Sequence, residues 1–269
     1  MVMKDVTMVW VSPFGKESEE FSKQFEPYIP KDIKGEFFVP NKGIPFEDND
    51  PMLKVAIDYL IKRKIKYDFS HRLYLTQKEL EEWPLFYAIP RYPLEIEGKD
   101  AYDYGTKYEK ECPHCVYREN RIGDLLVERK FMQKKKFGCL PPDYFVTDVI
   151  KERIEESGLT GVTFDSTIKD YKGREINTIY TMKFDNILPP MHESAWWREW
   201  SKSCSHHVVY CDSEYRYDRK TLTEIKDFNL TYEYLNNHYA RELIVSGRAR
   251  KFFKENGTRT TFWPVKIID

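Results

Sequence analysis

Glycine is scarce in this chain, with 12 in 269 residues, and no G-x-S-x-G, P-loop or G-x-G-x-x-G pattern occurs. A phosphate-cradling loop or an exposed nucleophile elbow is therefore not expected. No apolar run approaches the ~20 residues that a membrane-spanning helix needs. The short run Thr7 to Val11 ends at Ser12-Pro13; it is too short for a signal h-region and reads as a first strand. An excess of one charge is missing too. Lys+Arg total 43 and Asp+Glu 44, a net charge of −1, so there is no general pull toward nucleic acid. The local run Lys134-Lys135-Lys136 reads as a solvated loop. Cysteines number five, an odd count; without a secretion signal this predicts a reduced, cytosolic protein.

Hydrophobic residues make up 41% of the chain and aromatics 16%, enough for a sizeable core. One phrase occurs twice. Val146-Thr147 is followed, after ten residues, by Gly158, and Val245-Ser246, again after ten, by Gly257. Each copy opens on an apolar stretch, Tyr144 to Val146 and Leu243 to Val245. Each then places a hydroxyl residue where a helix would be capped, and ends that helix on glycine. Each runs on into a β-branched stretch ending at Phe164 or Phe262. Such a repeat marks a duplicated supersecondary unit. Ile150 and Ile154 with Val149, and Ala249 with Phe252 and Phe253, are expected to face inward.

Outside the repeat, Asp50-Pro51 predicts a helix start, with Leu53, Ala56, Ile57, Leu60 and Ile61 on one apolar face. Thr76-x-x-Glu79 predicts a capping box and a short helix to Trp83. Residues 1–46 read as strand, loop and turn. Ile65 to Phe69 and Arg72 to Leu75 read as two strands parted by Ser70-His71. A short helix is expected from Tyr232 to Asn236. Strands and short helices without βαβ alternation predict an α+β fold. The expected division is an N-terminal α+β region (1–104), a first strand–helix–glycine unit (105–190) and a second (191–269).

The sharpest chemical signal is Cys112-x-x-Cys115. Two thiolates at this spacing reach one tetrahedral zinc from a tight turn, which Pro113 stiffens. Cys204 and His207 repeat the spacing, so a structural Cys3His zinc site is chemically sensible, with Cys139, Cys211, His114 and His206 as substitutes. The competing reading is inert, buried thiols. A thioredoxin-like role suits the context poorly, because the pair follows a charged loop. His192-Glu193 resembles the start of a zincin helix, but Trp196 stands where the second histidine would be. Glu81-Glu82 and Glu155-Glu156 read as solvated helix surface. Trp196 and Trp200 are spaced to share a helical face, with Trp197 beside them. They form either a partner-binding patch or a core staple. No constellation points to catalysis.

The order C-x-x-C, strand, Ser/Thr-capped helix ending in glycine, strand, occurring twice, resembles the bacterial double C-x-x-C-G proteins. That group is similar in layout to immunity proteins encoded beside polymorphic toxins. The resemblance covers residues 105–269 and rests on Phe145-Val146-Thr147-Asp148 through Gly158 to Phe164, and on Asp227 to Thr231 through Gly257. Val116 follows Cys115 where the pattern has glycine. In the second copy His207 and Val208 stand in place of cysteine and glycine. The resemblance implies a non-enzymatic, cytosolic protein that neutralises a cognate toxin by direct binding. A zinc-binding regulator or metal-dependent enzyme using Cys112, Cys115, Cys204 and His207 is the alternative.

Overall fold

The computed structural model describes residues 4–11, 16–28, 44–47, 49–90, 105–111, 118–129, 136–140, 142–166, 168–199, 208–211, 214–235 and 240–269. The fold is α+β, with short helices set among several small sheets. The chain divides into two compact units, Met1–Glu82 with Asp212–Glu214, and Trp83–Cys211 with Tyr215–Asp269.

In the first unit, β1 (Lys4–Val11) lies between β2 (Ile44–Glu47) and β3 (Tyr67–Tyr74), antiparallel to both. Helix α1 (Lys16–Phe25) was not expected; it buries Phe21 and Phe25 against Val9, Phe46 and Leu60. Helix α2 (Pro51–Lys62) begins as predicted. The Asp50 side chain accepts from the Met52 amide at 2.8 Å. Its inward stripe is narrower than expected, since Ala56 and Leu60 are buried but Ile61 is 56% exposed. Strand β3 runs through Ser70-His71 without a break, because β1 pairs with both residues (Met8 with Ser70, Thr7 with His71). Helix α3 (Gln77–Glu82) carries the capping box: Thr76 N donates to Glu79 Oε2 at 2.9 Å and Glu79 N to Thr76 Oγ1 at 3.3 Å.

The second unit opens with β4 (Leu85–Pro90), the hairpin β5 (Lys107–Glu111) and β6 (Arg118–Ile122), and β7 (Leu125–Val127). The first copy of the repeated phrase follows as β8 (Phe137–Leu140), β9 (Asp143–Thr147), α4 (Asp148–Ser157), β10 (Val162–Asp165) and β11 (Ile168–Asp170). After β12 (Ile179–Phe184) come a second hairpin, β13 (Trp196–Glu199) with β14 (Val208–Cys211), and β15 (Arg216–Asp218). The second copy is β16 (Phe228–Leu230), β17 (Tyr234–Leu235), β18 (Leu243–Ser246), α5 (Gly247–Glu255), β19 (Thr260–Pro264) and β20 (Lys266–Ile268).

The copies match in three dimensions as well as in sequence. One antiparallel sheet has the order β10-β12-β9-β8 and the other β19-β4-β18-β16. Their registers correspond residue by residue. Thr147 faces Ile179 as Ser246 faces Leu85, and Val146 faces Phe137 as Val245 faces Phe228. Phe164 faces Met182 as Phe262 faces Ala88. Each copy adds a parallel pair, β7 with β11 and β15 with β20. The inner strand is supplied crosswise. The first copy is completed by β12, which precedes the second copy in the chain; the second is completed by β4, which precedes the first. Thus β4, from the region that the sequence assigns to residues 1–104, sits in one sheet with strands of 191–269.

Local rules account for the two helices. Both end in glycine with positive φ, Gly158 at 64° and Gly257 at 61°. Ser246 Oγ accepts from the Ala249 amide at 3.1 Å, whereas Thr147 makes no side-chain cap bond. Ile150, Ile154, Ala249 and Phe253 are buried as expected, and Phe252 is half-buried. Val149, expected inward, is 50% exposed, because α4 turns only the Ile150/Ile154 stripe to its sheet. The helix expected over Tyr232–Asn236 is replaced, in its described part, by β17, whose Tyr234 pairs in parallel with Val208. Tertiary pairing outweighs weak local helix preference there.

Candidate functional site

The two hairpins occupy equivalent places, each just before the strand that forms the parallel pair. Cys112 and Cys115 fall in the connection from β5 to β6, and Cys204 and His207 in that from β13 to β14. All four lie outside the described residues, as do His114, His206 and Trp200. Trp196 and Trp197 lie in a strand, not a helix, so the i, i+4 helical stacking expected of Trp196 and Trp200 does not arise at Trp196. Among the described strands, β13 is the outer one in the ladder β13-β14-β17. Cys139 is buried in β8. Among the described residues no group of three or more His, Cys, Asp or Glu side chains is placed to hold a metal. His192 Nδ1 instead pairs with Ser194 Oγ at 2.7 Å, ahead of a 3-10 turn over Glu193–Ala195. Glu155 and Glu156 are exposed on α4, as expected.

The first hairpin is bolted to its sheet by charge. Arg121 at the end of β6 donates from Nε to Asp143 Oδ1 at 2.9 Å, and Tyr108 Oη donates to Asp143 Oδ2 at 3.0 Å. Arg121 also reaches Thr181 Oγ1 at 3.2 Å and Asp165 at 3.6 Å. Its side chain is 2% exposed and that of Asp143 is 9% exposed, so this is a buried ion pair with its remaining donors satisfied. Nearby, the Asp170 carboxylate accepts from the Lys172 and Arg174 amides and from Arg174 Nε, at 2.9, 2.9 and 2.7 Å. Burial acts to raise its pKa, but these donors outweigh it and hold the carboxyl below its ordinary range.

Glu242 is the second-copy counterpart of Asp143: Asp143 stands three residues before Val146 and Glu242 three before Val245. It is 3% exposed. Its donors are phenols: Tyr144 Oη at 3.3 Å and the Tyr87 hydroxyl. Tyr144 Oη also accepts from the Leu243 amide at 3.1 Å. The Glu242 backbone is closed by Thr231, whose Oγ1 accepts from Glu242 N at 2.9 Å and whose amide donates to Glu242 O at 3.0 Å. Burial pushes the carboxyl up to about 7, against the lowering effect of the two phenols. Burial, and then Glu242 itself, hold the Tyr87 hydroxyl well above its ordinary value.

The copies also clasp each other's helix ends. Lys136, just before β8, donates from Nζ to Asn256 O at 2.8 Å, at the end of α5. Asp227, just before β16, accepts at Oδ2 from Thr160 N at 2.9 Å, just past the end of α4, and at Oδ1 from Ser246 Oγ at 2.6 Å. Arg248 of α5 donates to Ser157 O and Arg153 of α4 to Asn256 Oδ1. Between them, the Phe253 ring stacks on Phe137 at 4.6 Å and meets Phe228 at 5.8 Å.

The Asp143, Arg121, Tyr108, Glu242 and Tyr87 groups were missed by sequence reasoning. A usable signal existed for the two acids: extending the repeated phrase by one residue aligns Asp143-Tyr144 with Glu242-Leu243. Comparison with known protein families and with curated sequences finds no match to this chain.

Proposed function

We propose that this is a non-enzymatic, cytosolic binding protein that neutralises a bacterial toxin by covering its active surface. The supporting observation is the strand β13, which carries Trp196-Trp197 along the outer edge of a three-stranded ladder. An outer strand offers unpaired backbone groups, and tryptophans are the commonest anchors of a protein interface. The duplicated order of strand, capped helix, glycine and strand supports the resemblance to the double C-x-x-C-G proteins, a group similar in layout to immunity proteins. Such a complex needs roughly 1,600 Å² of total buried surface with a few central anchors. The test is co-purification with the secreted product of the adjacent gene. The expected outcome is a stable complex that Trp196→Ala/Trp197→Ala weakens at least tenfold in calorimetry, with unchanged unfolding of the free protein. A neighbouring product that does not bind would overturn the reading.

A zinc-binding role is the second reading, favoured by the equivalent placement of the two ligand pairs in matching hairpin connections. Metal analysis of the purified protein is expected, on this reading, to find one zinc per chain that is lost with Cys112→Ser. A metal-free, folded protein would exclude it.

A further inference from the structure

The two copies treat one equivalent acid differently. Asp143 is met by the Arg121 guanidinium. Glu242 is enclosed where strands of both sheets meet, and among the described residues the donors that reach it are the neutral hydroxyls of Tyr144 on β9 and Tyr87 on β4. Other titratable and charged groups described on the surrounding elements make contacts of their own. The Tyr215 ring lies against Tyr87 at 4.6 Å. Cys139 of β8 is a buried thiol that acts on Tyr87. The neighbouring Arg241 points its guanidinium to the carbonyls of Thr231 and Tyr232 and over the Tyr234 ring. Arg250 of α5 lies over the Phe86 ring at 4.6 Å.

We propose that Glu242 makes the seam between the two copies sensitive to pH. The neutral carboxyl is accommodated among the phenols, and its ionisation weakens the seam. A buried carboxylate that is met by neutral hydroxyls among the described residues is poorly compensated, whereas the neutral acid both accepts and donates. Tyr144 transmits the change, because its hydroxyl also holds the Leu243 amide at the start of β18. The sign follows from linkage. The folded-state pKa lies near 7 and the ordinary value is 4.5. Between those values the unfolded chain has released the proton and the folded chain keeps it. Stability from this group is therefore full below pH 4.5, falls as pH rises toward about 7, and is level above it.

The test compares thermal unfolding of the full chain with that of Glu242→Gln across this range. The variant cannot ionise. Its melting temperature is expected to gain on that of the wild type by several degrees as pH rises from 4.5 to about 7, and then to hold that lead. Melting curves that stay parallel across the range would overturn the proposal. If the variant does not fold, the carboxyl carbon of Glu242 in wild-type protein labelled at glutamate is followed by NMR. A midpoint well above the ordinary glutamate range supports the proposal, and one within that range overturns it.

Discussion

Gly161→Ala is expected to lower the stability of the second unit by about 3 kcal/mol or more, the range of a strained backbone combined with a steric clash. A Cβ at this position would lie 2.2 Å from the Phe228 carbonyl oxygen and 2.8 Å from Lys226 Cβ. The backbone there has φ of 91°, which L side chains rarely adopt. No rotamer change relieves an overlap with a carbonyl, so the two segments must separate. Their separation breaks the Phe228 N to Thr160 O bond of 3.0 Å and loosens the grip of Asp227 on Thr160. Gly158→Ala is the control. It has positive φ too, but its nearest neighbour is the flexible Arg248 guanidinium at 3.8 Å, so a loss of only about 1 kcal/mol is expected. Urea unfolding of both variants measures the difference; equal losses would refute the steric account.

Arg121→Met is expected to cost about 3–5 kcal/mol, because it leaves the Asp143 carboxylate buried without its cation. Adding Asp143→Asn should recover part of that loss, since the stranded charge is then gone and Tyr108 Oη can still donate to the amide oxygen. A double-mutant cycle in urea reads the coupling between the two residues. Losses that simply add would show that the pair acts as two independent packing groups. The hairpin carrying Cys112 and Cys115 is held by this pair, so protection of β5 and β6 amides from exchange should fall with Arg121→Met.

What sequence reasoning reached was local. The strands before Thr147 and Ser246, the helices after them and the glycines that end them follow from caps and periodicity within a dozen or so residues. So do Asp50-Pro51 and the Thr76/Glu79 box. Helix α1 escaped because Phe21 and Phe25 are the only large apolar residues in its ten, too few to declare a period. The break expected at Ser70-His71 is absent because β1 pairs across it, information held some sixty residues away. Trp196 and Trp197 lie in a strand although Trp196 and Trp200 have helical spacing, because aromatic spacing alone does not separate the two periods. The crosswise supply of β4 and β12 has no local mark at all. An alternating apolar strand says which face is buried but not which strand will lie beside it.

That crosswise supply sets an order of assembly during synthesis. β4 leaves the ribosome early, yet both of its neighbours, β18 and β19, are made at the far side of the repeat. The sheet of the first copy can close as soon as β12 is made. Until β19 emerges, β4 holds Leu85, Phe86 and Ala88, all fully buried in the finished fold, without their final partners. The nascent chain therefore carries an exposed apolar strand through most of its synthesis, the kind of segment that chaperones cover and that pairs wrongly with other chains when they do not.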